Sequence, residues 1–292
     1  MQLNKSSSLR LTLLSGRARL MTLTSIAETF ATTAGLALAM VIFLWLLSIW
    51  LRDVSIIDMF FSAMIAALLL FTYWRAESVS PVATLIVVLV LLWALRMTVY
   101  LIWRNWGHGE DPRYTRLRSW VAPGWPFHWL SLRQVFLLQG VVLWVVTVPQ
   151  QIAIRNSDAA EIGALSIVGL ALWCVGFFFE SVGDYQLARF KGNPANRGKV
   201  MNRGLWRYTR HPNYFGELCQ WWGLFVIALE VPWAWCGVFG PLVYSWLVIN
   251  VTGQATLDKK MAREKPEYAS YMRSTSGLIP WFAKSGPRHD ES

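Results

Sequence analysis

Apolar residues run along this chain in blocks of about twenty, parted by shorter polar stretches. A helix that crosses about 30 Å of hydrocarbon needs about 20 largely apolar residues. Seven blocks approach that length: 30–50, 56–74, 82–103, 134–154, 162–179, 214–229 and 232–252. Four hold no charge, and the other three hold one each: Asp58, Arg96 and Glu217. The pattern predicts an all-α integral membrane protein with about seven transmembrane helices, of which the sixth is the shortest. Residues 1–29 are polar and basic and read as a loose N-terminal tail. They lack a compact apolar core followed by a small-residue cleavage site, so they make a poor signal peptide, and Met21 is an alternative start. Residues 282–292 form a second polar tail, which leaves 30–281 as one membrane domain.

Charge orients the domain. Seven spans put the chain ends on opposite sides. One side receives Arg52, five bases from Arg104 to Arg133, seven from Arg189 to Arg210 and seven from Lys259 to Arg288, which is 20 of the 27 Lys and Arg. The positive-inside rule then places the C-terminus in the cytoplasm and the N-terminus outside.

Composition agrees. The chain is 55% apolar and 15% charged, against about 45–50% and about 25% in soluble domains. These values exclude a disordered chain and a coiled coil, and make an ordinary cytosolic enzyme a poor fit. The formal net charge of +10 divides between membrane orientation and an anionic ligand, and its one-sidedness argues against a nucleic-acid footprint. The three cysteines lie in apolar stretches and the four histidines are scattered, so neither a disulfide frame nor a metal site is expected. There is no G-x-G-x-x-G, no Walker loop, no H-E-x-x-H and no G-x-S-x-G. The inverted repeats of a transporter are also missing.

Three groups of residues carry candidate chemistry. In GLWRYTRHPNYFGE, 204–217, Arg207, Arg210 and His211 stand at the mouth of the sixth apolar block. Pro212 is suited to starting a helix, whose N-terminal N–H groups, near Asn213, favour an anion. Arg supplies a bidentate fork for phosphate. Glu217 lies one turn inside, where a carboxylate is costly unless paired, and is therefore a functional candidate. In FFFESVGDYQLARFKGNP, 177–194, Glu180 and Asp184 share a helix face and Lys191 follows two turns on. Acids for ribose hydroxyls beside a base for phosphate suit a nucleotide; a plain helix-end salt bridge explains the spacing equally well. The third group is intramembrane: Asp58, and the i,i+4 pair Arg96 and Tyr100. An Asp58–Arg96 ion pair is the structural reading of it.

These motifs carry a resemblance. The stretch 180–280, with FFFESVGDYQLARFKGNPANRGKV, GLWRYTRHPNYFGELCQWWG and LDKKMAREKPEYASYMRSTSGLIPW, resembles the C-terminal half of the steroid 5-alpha-reductase family in its bacterial branch, whose members often carry a domain of unknown function. RNWGHGEDPRYTRLR resembles the same branch. The Arg-His-Pro-x-Tyr-x-Gly element is shared with isoprenylcysteine carboxyl methyltransferases and phospholipid methyltransferases.

The resemblance implies a seven-helix membrane reductase of a bacterial inner membrane with a cytoplasmic NADPH site. The reaction it implies is reduction of a C=C beside a carbonyl in a steroid-like or other lipophilic enone. The substrate and the membrane lipids are then its partners, with no nucleic acid and no metal. By resemblance the cofactor residues are Glu180, Asp184, Lys191, Arg207, Tyr208, Arg210, His211, Asn213, Tyr214 and Tyr271, with Tyr268 in the same closing segment. The catalytic candidates are Asp58, Tyr100 and Glu217. Glu180 replaces a family amide, and its charge requires a basic partner such as Arg189 or Arg207. If Arg96 is the family's third-span Arg, Trp93 occupies the position of the ketone-polarising Tyr and cannot transfer a proton. Two other classes compete: an S-adenosylmethionine-dependent membrane methyltransferase built on the same RHPNY element, and a non-catalytic lipid-binding protein. The latter gives no reason to bury Glu217.

Overall fold

The computed structural model describes residues 3–156, 160–251 and 254–283; for 3–23 and 254 the backbone alone is described. The architecture is all-helical, as the hydropathy blocks predict. Among the described residues no strand forms beyond one isolated bridge between Thr209 and Ser276. Helix α1 spans Leu3–Leu51, α2 Ile56–Trp74, α3 Pro81–Asn105, α4 Pro112–Arg118, α5 Trp125–Val146 and α6 Val148–Arg155. Then come α7 at Ala164–Gly192, α8 at Pro212–Ala228, α9 at Phe239–Trp246, α10 at Gln254–Glu264 and α11 at Pro266–Ser274.

Among the described residues six stretches are long and apolar enough to cross a membrane: Thr24–Leu51, α2, α3, α5, α7 and Ala234–Glu264. The protein is a membrane protein on this ground. The seven expected blocks thus compare with six such stretches among the described residues. The block 214–229 forms α8, a helix of 17 residues opened by Pro212. The opposite placement of the two chain ends rested on that seventh span. Two boundaries also differ. The fourth span begins at Trp125 rather than 134, and it stops at Val146 because Pro149 lacks the N–H that would continue the ladder. The expected tail 1–29 lies largely in α1; it holds no proline and one glycine, so nothing in it stops a helix. Residues 284–292 of the second tail lie outside the described residues.

The chain divides into two compact units. The first, Met1–Ile162 with Ala228–Gly237, contains α1 to α6. Ile57, Ile65, Leu68 and Leu69 of α2 and Ile86 and Val90 of α3 are fully or almost fully buried. In lipid such helices are held by close packing and polar ties rather than by exclusion of water. One tie joins Ser62 and Thr98 across α2 and α3 at 2.8 Å. Another joins α1, α5 and α6: Thr33 Oγ1 donates to Gln151 Oε1 (2.7 Å), Gln151 Nε2 to Thr147 Oγ1 (2.9 Å), and Trp144 Nε1 to Thr33 Oγ1 (3.0 Å). Bonds of this kind contribute about 0.6 kcal/mol each in a bilayer.

The second unit, Gly163–Ile227 with Val238–Ser292, contains α7 to α11. Its seam is the α7–α8 contact. A Cβ on Gly176 would strike Gly216 O and Gln220 N, and one on Gly169 would strike Gly223 O and Ile227 N. The glycines thus permit a backbone-to-backbone approach that no larger residue allows. Val200, Tyr268 and Tyr271 form a small buried cluster that Met261 and Met272 complete, seating α10 and α11 on the loop after α7.

Candidate functional site

In the second unit the segment Arg207–Pro212 is laid against the chain's closing segment. Arg210 N donates to Ser276 O (2.9 Å), and Thr209 Oγ1 donates to Leu278 O (2.8 Å). Pro212 then opens α8 as its spacing predicts, with Asn213 in the first turn. Between this segment and α10 and α11 lies a carboxylate that the sequence did not single out for the site, Asp258. It accepts from Arg210 Nη2 (2.8 Å), Arg210 Nε (3.4 Å), His211 Nε2 (2.9 Å) and Tyr268 Oη (2.5 Å). Arg210 Nη1 is spent on Met272 O (3.1 Å) and Thr275 O (2.5 Å). The guanidinium expected to meet a phosphate is therefore mostly engaged by the protein, and its job is to fasten α10 and α11. The signal for Asp258 was present: it shares the buried side of α10 with Met261, an odd place for an acid without a partner.

Above this clamp opens a cavity of about 480 Å³, well within the range of small-molecule sites. Its wall includes the bases Lys191, Arg197, Lys199, Arg210 and Lys265 and, among the described residues, no carboxylate. Phe190, Trp206, Tyr268 and Tyr271 supply aromatic surface. Tyr271 Oη donates to Trp206 O, which fixes its ring in the wall. Burial pushes the Tyr268 phenol well above its ordinary range, with the Asp258 hydrogen bond acting in the same direction. Burial does the same for Tyr271, against the pull of Arg210. Both therefore act as neutral donors.

Of the predicted cofactor residues, Lys191, Arg210, His211 and Tyr271 reach this cavity. Tyr214 stacks on His211 with ring centroids 5.3 Å apart. Arg207 and Tyr208 lie on the exposed surface. Glu180, Asp184 and Asn213 instead lie at the α7–α8 seam, and Glu217 meets α9. Gln220 Nε2 donates to Glu180 Oε2 (2.6 Å), and Asn213 Nδ2 donates to Asp184 Oδ1 (3.3 Å). Tyr244 Oη, from α9, donates to Glu217. The contact found for Glu180 is thus an amide about two turns into α8 rather than the guanidinium expected. Asn213 Oδ1 and Gln220 Oε1 are buried there with no hydrogen-bond partner among the described residues.

Asp58 and Tyr100 belong to the first unit. Asp58 pairs with Arg113 rather than Arg96: Arg113 Nη2 donates to Asp58 Oδ2 (2.7 Å), while Tyr114 Oη (2.9 Å) and Gln139 Nε2 (3.0 Å) donate to Oδ1. The phenol that reaches Asp58 is Tyr114, brought there by α4 out of what read as an irregular loop. Asp111 caps α4 and brackets Arg113 at 3.0 Å. Arg96 lies over the Tyr100 ring at 5.5 Å, and Arg104 lies over the same ring at 5.4 Å. No group of three or more His, Cys, Asp or Glu suited to a metal ion occurs among the described residues.

Comparison with known proteins places these features. An uncharacterized protein of Schizosaccharomyces pombe is 25% identical over 267 residues, covering 81% of this chain and 75% of that protein. Steroid 5-alpha-reductase DET2 of Arabidopsis thaliana is 31% identical over 117 residues, 39% of this chain and 41% of the plant protein. 3-oxo-5-alpha-steroid 4-dehydrogenase 1 of Rattus norvegicus is 31% identical over 116 residues, again 39% and 41%. The chain thus spans less than half the length of the steroid reductases it matches. No solved structure matches it. Residues 44–275 match the family described as protein of unknown function DUF1295, and the chain belongs to that family.

Proposed function

We propose that this protein is a membrane-embedded, NADPH-dependent reductase acting on the C=C of an enone-type, steroid-like lipid, with the cofactor side facing the cytoplasm. The observation that carries the reading is the cavity of the second unit, with five Lys and Arg and, among the described residues, no acid in its wall. The donor set fits a ligand with several phosphate oxygens, because Lys and Arg both bind phosphate oxygens and Arg can do so in a bidentate way. It fits S-adenosylmethionine poorly, since a sulfonium would face several like charges. The similarity to steroid reductases adds the substrate class.

In this reading Lys191, Arg197, Lys199 and Lys265 hold the phosphates, and Phe190 and Trp206 offer stacking surface. Tyr271, Arg210 and His211 complete the wall, with Tyr214 stacked behind His211. Glu180, Asp184 and Asn213 supply polar groups along the seam, where the unpartnered Asn213 Oδ1 calls for a donor. Arg207 and Tyr208 stand exposed on the segment that leads to Arg210. The bound dinucleotide supplies hydride. The protein's own task is then to polarise a carbonyl oxygen and to deliver a proton. Within the second unit we assign that task to Glu217 and the Tyr244 phenol bonded to it.

Thermal shift in detergent tests the reading directly. A ligand at about 100 times its dissociation constant adds about 2.7 kcal/mol. NADPH is expected to stabilise the protein and S-adenosylmethionine to leave it unchanged. Stabilisation by the methyl donor alone overturns the assignment in favour of a methyltransferase.

A further inference from the structure

The closing segment Gly277–Phe282 is a strap whose backbone is fixed and whose large side chains point away from the protein. Thr209 Oγ1 donates to Leu278 O (2.8 Å), and Trp281 N donates to Tyr208 O (2.9 Å). Yet Ile279 is 67% exposed, Trp281 69% and Phe282 78%. The Tyr208 ring, itself exposed, meets Phe282 edge to face at 6.1 Å. Contiguous exposed apolar surface of this kind marks an interaction site.

The strap's height along the unit identifies the partner. Asp184 stands 20 residues beyond Ala164, the start of α7. At about 1.5 Å per residue that is about 30 Å, the thickness of the hydrocarbon layer. At this level Asn213, in the first turn of α8, bonds to Asp184, and Trp206 Nε1 donates to Gly183 O (3.1 Å). Tyr208 lies between Trp206 and Asn213 in sequence and carries the strap on its carbonyl. The strap therefore sits where α7 leaves the hydrocarbon. Tyr, Trp and Phe at that depth have the composition of an interfacial belt. Arg203 and Arg207, exposed on the neighbouring segment, add positive charge suited to lipid phosphates.

We propose that Gly277–Phe282 is a membrane-interface anchor, with Ile279, Trp281 and Phe282 seated at the boundary of headgroups and acyl chains of an anionic leaflet. The strap follows directly on α11, whose Tyr268 and Tyr271 line the cavity, and it is bonded to the segment that holds Arg210. Seating it in lipid therefore also steadies the cavity wall. The inference rests on exposure and position and is independent of the reductase reading.

The test uses the full chain with the exposed cysteines replaced, Cys174→Ser and Cys236→Ser. Phe282→Cys and, separately, Ile279→Cys carry a nitroxide label. The protein is reconstituted in vesicles of equal parts phosphatidylcholine and phosphatidylglycerol. Power saturation should find both labels several-fold more accessible to oxygen than to a water-soluble nickel chelate. Preferential access for the nickel chelate places the strap in water and overturns the anchor. Exclusion of both reagents at both positions means that protein covers it, from this chain or a second copy, and overturns it equally.

Discussion

Each unit fastens a peripheral helix with one aspartate, and the two fasteners differ mainly in how much water reaches them. Asp58 gathers a guanidinium, a phenol and an amide. Asp258 gathers a guanidinium, a phenol and an imidazole. The Arg113 side chain is 62% exposed and Asp58 22%, whereas Arg210 and Asp258 are 9% and 7% exposed. Similar donor sets therefore carry different consequences. A guanidinium that loses its partner in water is resolvated, and the pair contributes about 0–1 kcal/mol. A buried one is left as an uncompensated charge, which costs about 3–5 kcal/mol. The lesson is that the second unit has tied its cavity wall to a pair it cannot lose, while the first has tied α4 with one that can open.

The largest expected effect follows from that asymmetry. Asp258→Ala should destabilise the protein by about 3–5 kcal/mol, read as a lowered unfolding midpoint in detergent. A loss below about 1 kcal/mol would show that Arg210 is solvated, and the contrast would fail. Tyr268→Phe removes a neutral donor from a charged acceptor and should cost about 1.5–3 kcal/mol, again by the unfolding midpoint. Arg113→Gln, its counterpart in the first unit, should cost under about 1 kcal/mol. Measuring it in low and high salt sharpens the point, because an exposed pair is screened and a buried one is not.

The smallest effects are in pH dependence, and they have opposite signs. Burial raises the Asp111 carboxyl, but the hydrogen bonds and charge of Arg113 outweigh this and hold it below the carboxylate range. A depressed folded pKa gives stability that is present above about pH 3.9 and lost on acidification. Tyr268 and Tyr271 are raised, so their contribution is intact below about pH 10 and lost as the pH rises beyond it. Circular dichroism of the two single variants, Asp111→Asn and Tyr268→Phe, should flatten the acid and the alkaline limb respectively. The same limb changing in both variants would contradict the assignment.

Several polar contacts of the fold were legible in the sequence because intramembrane polarity is rare. Asp58, Glu217 and the Glu180/Asp184 face stood out against apolar surroundings, and the structure gives each of them polar contacts. Pro212 announced the start of α8 by its missing N–H. What the linear pattern misjudged were partners. Arg96 looked like the counterion of Asp58 because both lie in apolar blocks, but α4, hidden in a Gly- and Pro-punctuated loop, delivers Arg113 and Tyr114 instead. Arg210 looked like a phosphate ligand because nothing local revealed Asp258, 48 residues away.

The sequence by itself determined the helical membrane class and most of the helix positions. These follow from composition and period, which act over one or two turns. Only the tertiary structure decided which bases face the cavity, which acids are consumed as fasteners and where the closing aromatics are displayed. These depend on contacts between residues distant in the chain, where a single buried charge selects its partner by desolvation rather than by spacing.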